Sequence, residues 1–208
     1  HIPPDQILMV TFTNKAAGEM KERITKLLPQ NNLTPRSPAE LQRSGDGVGP
    51  FAGTFHSLSA KILRRDGKHI GIPVGFLIYD EQDQQDAIKD IMKTLDISTK
   101  NFNPNSILHT ISEAKNELLS ATVYPQYARG YFQETVAHVY MEYQKMLKEN
   151  EALDFDDLLM QTVRLFDTHP DILGKYQEQY RYVLIDEYQD TNKAQYTLAK
   201  QLAGRWHN

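Results

Sequence analysis

The 208-residue sequence contains no cysteine. Disulfide frameworks and thiolate metal sites are therefore excluded, and the composition fits a cytoplasmic protein. No apolar run approaches the roughly 18 residues of a membrane span, and no leader pattern opens the chain, so no membrane partner is expected. Catalytic triads, zinc-ligand spacings, internal repeats and low-complexity tracts are missing as well. What is present is ordinary globular material, 40% hydrophobic and 24% charged, enough for one large domain or two small ones. His1-Ile2-Pro3-Pro4 reads as the interior of a longer protein.

The net charge of −4 hides an asymmetry. Residues 1–78 carry 10 Lys+Arg against 6 Asp+Glu, whereas residues 79–208 carry 13 against 21. The basic part suits a polyanion and the acidic part water, although plain scatter of surface charge explains the same numbers.

Ile7-Leu8-Met9-Val10 is a short apolar run of the kind that forms a buried strand. Thr13 stands at an N-cap position, and Ala17, Met20, Ile24 and Leu27 recur at helical spacing up to Pro29. Residues 29–50 read as a loop. Phe51 to Phe55 predicts a second strand followed by a helix with Leu58 and Ile62 on one face, and Phe76 to Tyr79 a third strand. Strands alternating with helices predict an α/β fold with a parallel sheet. From Asp80 to Phe166 the pattern is helical. Asp80 and Asp83 form a capping pair ahead of an Ile88, Ile91, Met92, Leu95 stripe. Further stripes run through Ile107, Ile111, Ala114 and Leu118, through Val136, Tyr140 and Leu147, and through Leu158 to Phe166. Tyr124, Tyr127, Tyr131, Tyr140 and Tyr143 suit helix packing with their hydroxyls at the rim. The α/β pattern resumes at Tyr182 and continues into a helix from Ala194 to Leu202. Three parts follow: 1–79, a helical insertion over 80–166, and 167–208.

Three constellations carry chemistry. The apolar run Tyr182–Ile185 ends in adjacent carboxylates, Asp186 and Glu187, followed by Tyr188-Gln189-Asp190-Thr191-Asn192. A strand that delivers Asp-Glu at its carboxyl end is how P-loop NTPases present a magnesium-holding aspartate and a water-activating neighbour. A simple acidic turn is the plain alternative. No Gly-x-x-x-x-Gly-Lys-Ser/Thr occurs in the chain. The second constellation, Phe12, Thr13, Asn14 and Lys15, lies at a strand-to-helix junction, where small donors and free helix N–H groups meet phosphates and an aromatic face meets a base. Thr54, Phe55 and His56, preceded by Gly53 and followed by Ser57, repeat that design and suggest a surface tracking a single strand. A capped helix over a core phenylalanine is the plain reading of the first junction, and an ordinary structural histidine that of His56. Leu153-Asp154-Phe155-Asp156-Asp157 opens a helix with negative charge that complements its dipole.

Together, in this order, Val10–Ala17, Gly53–Ser57 and Asp186–Asn192 resemble motifs Ia, Ib and II of the superfamily 1 DNA helicases of the UvrD/Rep/PcrA type, with Tyr188 where phenylalanine is more frequent. The Leu153–Leu159 stretch resembles another recurrent segment of that family. The resemblance spans essentially the whole chain and implies a partial RecA-like P-loop NTPase domain, called 1A, interrupted by a helical 1B subdomain. It implies ATP with Mg²⁺ as cofactor of the parent protein, Asp186 as the magnesium ligand, Glu187 as the catalytic base, and Gln189 and Asp190 coupling nucleotide to DNA. Phe12, Thr13, Asn14, Lys15, Thr54, Phe55 and His56 would touch single-stranded DNA. The parent would be a 3′-to-5′ helicase acting on single strands and single/double-strand junctions, with the remaining helicase domains on the same polypeptide. This chain begins after the family's phosphate-binding loop, so it is expected to bind no nucleotide and to be inactive alone, with one sheet edge open. The alternatives are a stand-alone single-stranded-DNA-binding module, a helicase–nuclease parent, and an unrelated metal-dependent phosphohydrolase built on Asp186 and Glu187.

Overall fold

The computed structural model describes residues 2–27 and 49–208. The expected helix end at Pro29, and all but the last residues of the 29–50 loop, lie outside them. Three short strands, β1 (Ile7–Thr11), β2 (Phe51–Thr54) and β5 (Tyr182–Ile185), form a parallel sheet in the order β2-β1-β5. Leu8 lies opposite Phe51 on one side and Val183 on the other. Parallel pairing demands long crossovers, and it places the carboxyl ends of all three strands along one edge. The helices α1 (Asn14–Leu27) and α2 (Phe55–Asp66) leave that edge directly after β1 and β2.

The sheet is buried against α2, α6 (Phe155–Thr168), α7 (Pro170–Gln179) and α8 (Lys193–Ala203). Leu8 and Val10 share a core with Phe55, Leu58, Ile62, Leu159 and Leu198. Burial of each such side chain is worth about 1.5–3 kcal/mol. The helix α7 has no counterpart in the sequence reading. Its signals are Pro170 at the first turn and Ile172 and Tyr176 on one face.

The helices α3 (Glu81–Thr94), α4 (Pro104–Asn116) and α5 (Tyr131–Glu149) enclose a second core of Ile88, Met92, Ile107, Ile111, Val136 and Tyr140. Packing changes at Ala152 and Leu153, which belong to the helical core and the sheet core respectively. The helix α6, grouped by sequence with the insertion through residue 166, places Leu158, Leu159, Val163 and Phe166 in the sheet core. Helical spacing identifies a helix and its apolar face but not which neighbour that face covers.

The Phe76–Tyr79 strand is corrected in its partner. Only Leu77–Ile78 (β3) is extended, and it pairs in parallel with Ala152–Leu153 (β4) at the base of the insertion, apart from the main sheet. Tyr79 N–H donates to the Leu153 carbonyl, and the Asn150 amide donates to the Tyr79 hydroxyl. The ladder staples the two ends of the insertion together. Leu95 and Leu118 fall just beyond α3 and α4. Leu95 is exposed, whereas Leu118, in a left-handed conformation, packs on the sheet core.

Candidate functional site

β1 and β5 run in register to the functional edge, where the Asp186 N–H donates to the Val10 carbonyl. The chain then turns sharply. Glu187 adopts φ 50°, ψ 44°, a left-handed conformation that costs a side-chain-bearing residue about 1–2 kcal/mol. The turn is closed by Asp190 N–H to the Glu187 carbonyl and by Thr191, whose N–H and hydroxyl both donate to the Tyr188 carbonyl. Asn192 then caps α8, accepting from the Gln195 N–H while its own N–H donates to the Gln195 side chain. The turn leaves Asp186, Glu187, Tyr188, Gln189 and Asp190 exposed. The Gln189 amide donates to the Glu187 carboxylate. The Asp186 carboxylate bonds to none of the described residues. The carboxyl end of β5 thus holds the Asp186 and Glu187 carboxylates exposed on a left-handed turn.

At the end of β1, Thr13 caps α1 by accepting from the Ala16 N–H. Thr13, Asn14 and Lys15 are exposed and Phe12 is half-buried. Its ring lies 5.7 Å from that of Phe55. At the end of β2, Thr54 and Ser57 form a capping box around the first turn of α2. Gly53 is required there, since a Cβ would stand 2.6 Å from the Ser57 hydroxyl. Phe55 is 2% exposed and belongs to the core, and Thr54 spends its side chain on the cap. Neither presents itself to a base, and Phe55 instead supports the Phe12 ring from below. His56 remains partly accessible, with burial lowering its pKa from the ordinary value.

Sequence reasoning missed one member of this surface. Phe155, at the start of α6, is 46% exposed and packs edge-on against His56 with ring centroids 6.0 Å apart. The signal was its place in Leu153-Asp154-Phe155-Asp156-Asp157, read there only as helix-dipole charge. The edge therefore carries Phe12, His56 and Phe155 as rings, with Thr13, Asn14, Lys15 and Ser57 as polar groups between them.

The acidic residues around Phe155 do more than complement a dipole. Lys115, from α4, is wholly buried, with its ammonium 2.6 Å from Asp154 and 2.9 Å from Asp157. Asp154 also accepts from the Tyr143 hydroxyl, and Asp154 with Asp157 makes the capping box of α6. Burial alone would lower the lysine's pKa, but the two carboxylates outweigh it and raise it. One ammonium cannot balance two carboxylates, so burial and the charge of Asp154 push Asp157 up to about 6. Tyr140 and Tyr143 are buried with their hydroxyls bonded to the Leu119 carbonyl and to Asp154, so these hydroxyls do not lie at a rim. Tyr127 and Tyr131 are exposed.

Beside the carboxylate turn, a groove of about 360 Å³ opens between β5 and α8, lined by Val183, Ile185, Tyr188, Tyr196 and Ala199. Its strand wall is Val183 and Ile185 of β5, the edge strand of the sheet, whose Val183 N–H donates to the carbonyl of Asn208. Among the described residues no group of three His, Cys, Asp or Glu is placed to hold a metal, and no helix is long and apolar enough to cross a membrane.

Residues 1–208 match the model of the UvrD/REP helicase N-terminal domain. The chain is 47% identical over 209 residues to the ATP-dependent DNA helicase PcrA of Bacillus subtilis (strain 168), covering 100% of this chain and 26% of that protein. It is 45% identical over 207 residues to PcrA of Staphylococcus aureus (strain Mu50 / ATCC 700699), covering 100% of this chain and 26% of that protein. PcrA of Leuconostoc citreum is 44% identical over 205 residues, covering 99% and 26%. The chain thus spans about a quarter of the length of these curated relatives. A parallel sheet, its carboxylate turn and a match along the whole chain agree, and the chain belongs to the UvrD/REP helicase N-terminal domain family.

Proposed function

We propose that this chain supplies the carboxylates of the nucleotide site and part of the single-strand track of an ATP-dependent 3′-to-5′ DNA helicase. The reading rests chiefly on one observation: the Asp186–Glu187 turn and the two strand-to-helix junctions share one edge of a parallel sheet. In this reading residues 1–79 and 167–208 belong to the RecA-like 1A domain and the intervening helices to 1B, with α6 packed on the 1A side. Residues further along the same polypeptide would complete the motor.

The donor set fits magnesium bound with a nucleotide. Such an ion takes one or two protein carboxylates and completes its shell with water and phosphate oxygens, so two exposed carboxylates, with no group of three metal-ligating residues among the described residues, suit it. An unrelated phosphohydrolase would need more protein ligands here. When bound, magnesium neutralises charge on the β- and γ-phosphates. Asp186 is the residue that would hold it. Glu187 accepts a proton from the attacking water, and its left-handed backbone fixes where the carboxylate stands. Gln189, bonded to Glu187, restrains that carboxylate, and Asp190 closes the turn behind it. Phe12, His56 and Phe155 offer faces to unstacked bases, each worth about 1–3 kcal/mol. Thr13, Asn14 and Lys15 reach the backbone.

The sequence holds no Gly-x-x-x-x-Gly-Lys-Ser/Thr loop, and in this reading the 208-residue chain alone hydrolyses no ATP. In the full-length polypeptide, Glu187→Gln is expected to remove DNA-stimulated ATP hydrolysis while leaving single-strand affinity within a few-fold. Hydrolysis that survives this substitution contradicts the assignment. Magnesium-dependent, DNA-stimulated hydrolysis by the pure 208-residue chain contradicts the division of labour.

A further inference from the structure

One polar chain joins three elements of the molecule. Asn192, which ends the carboxylate turn, donates from its side-chain amide to the Asn116 oxygen at 2.6 Å. Asn116 in turn donates to the Asp156 carboxylate at 3.3 Å, with the Ser112 hydroxyl a weaker acceptor at 3.4 Å. Asp156 is the neighbour of Phe155, whose ring packs on His56. Three elements meet here: the N-terminus of α8, the last residue of α4 and the first turn of α6.

The direction of this chain is fixed. The Asn192 oxygen is used by the Gln195 N–H, so its amide nitrogen must point outward. It needs an acceptor, which sets the Asn116 oxygen toward Asn192 and the Asn116 nitrogen toward a carboxylate. The Asn116 amide thus bridges its two neighbours. It adjoins Lys115, which two buried carboxylates pin in place. Burial and the charge of Asp154 raise Asp156 against the pull of its hydrogen bonds, so this carboxylate sits among partners rather than in open water. A second tie, Lys193 to Glu117 at 3.4 Å, runs alongside but is exposed and worth little.

We infer that Asn116 and Asp156 are positioning residues that link the carboxylate turn to the His56–Phe155 pair, so that occupation of the DNA edge is felt at the start of α8. The inference rests on the single-strand reading above. A displacement of Phe155 by a stacked base moves Asp156, and the amide chain passes the change through Asn116 to Asn192, the cap of α8 that follows the turn bearing Glu187.

Amide hydrogen exchange on the full 208-residue chain, with and without saturating oligo-dT, tests it. In the wild type, bound oligo-dT is expected to slow exchange across residues 188–196 at least threefold. Asn116→Asp keeps the acceptor for Asn192 but sets a carboxylate against Asp156, and the distant response should vanish while oligo-dT affinity stays within about threefold. The swap Asn116→Asp with Asp156→Asn supplies a new donor from position 156 and should restore the response. Should Asn116→Asp fail to fold, Asp156→Ser cuts the same link. The inference is overturned if bound DNA leaves 188–196 unchanged in the wild type, if the response persists in the broken variant, or if the swap does not restore it. If the wild type binds no oligo-dT, the single-strand reading fails separately and the link is judged without DNA. Asn116→Asp must then speed exchange in the first turns of both α6 and α8, with the swap restoring both, and a change confined to one end overturns the link.

Discussion

Two acidic stretches of this chain meet opposite fates. Asp154-Phe155-Asp156-Asp157 folds inward: Asp154 and Asp157 are buried on Lys115, and their charges hold the helical insertion against the sheet. Asp186-Glu187-Tyr188-Gln189-Asp190 folds outward on a left-handed turn, with its carboxylates exposed. Composition hardly separates them. What separates them is whether a cation from another element reaches the site. Carboxylates met by Lys115 are buried as part of the architecture, and those at the left-handed strand end stay in water. The first stretch still reaches the exposed edge through Phe155, which lies between Asp154 and Asp157 and packs on His56.

This contrast predicts a graded set of outcomes. Lys115→Met strands two buried carboxylates and should cost about 3–5 kcal/mol in urea unfolding. A cost below 1 kcal/mol would erase the contrast. Next comes pH. Asp157 titrates at about 6 in the folded protein against an ordinary 3.8, so the native state holds its proton more tightly than the unfolded chain does. Its contribution is complete below about pH 4 and is lost as pH rises through about 6, a fall of at most roughly 3 kcal/mol. Asp157→Asn should flatten this fall between pH 4 and 7, as urea midpoints at the two ends would show. Gly53→Ala, which drives a methyl group into the Ser57 hydroxyl, should cost about 1–2 kcal/mol by spoiling the cap of α2. Smallest is the outward stretch. Glu187→Gly should stabilise the fold by about 1 kcal/mol through relief of the left-handed turn, and Asp186→Asn should change it by less than about 0.5 kcal/mol. A large loss from either would mean that these carboxylates are structural.

Much of this was legible in the sequence because local rules decide it. Apolar runs gave β1, β2 and β5, and spacing gave the helices of the insertion. Thr13 and Asp80 announced caps that the structure contains. The illegible parts depend on partners distant in sequence. Phe76–Tyr79 carries the signal of a sheet strand, yet its partner is Ala152–Leu153, and only the closure of the insertion selects that pairing. Phe55 and Phe12 look alike in their motifs. One became core and the other a half-exposed face, because the first turn of α2 points Phe55 into the sheet. Phe155 was hidden inside an acidic segment whose charges were explained too cheaply, since no local pattern shows that Lys115 arrives from 39 residues away. The turn at Glu187 was recognisable as a motif, but its left-handed backbone is a property of the fold.

The central claim is that the exposed edge binds a single strand and the buried cluster does not. Fluorescence anisotropy of labelled oligo-dT, titrated with this chain at two salt concentrations, tests it directly. The account predicts salt-sensitive binding that weakens about tenfold or more with Phe12→Ala, His56→Ala or Phe155→Ala, each removing a stacking face. Absence of binding at low salt, or binding indifferent to all three substitutions, would contradict it.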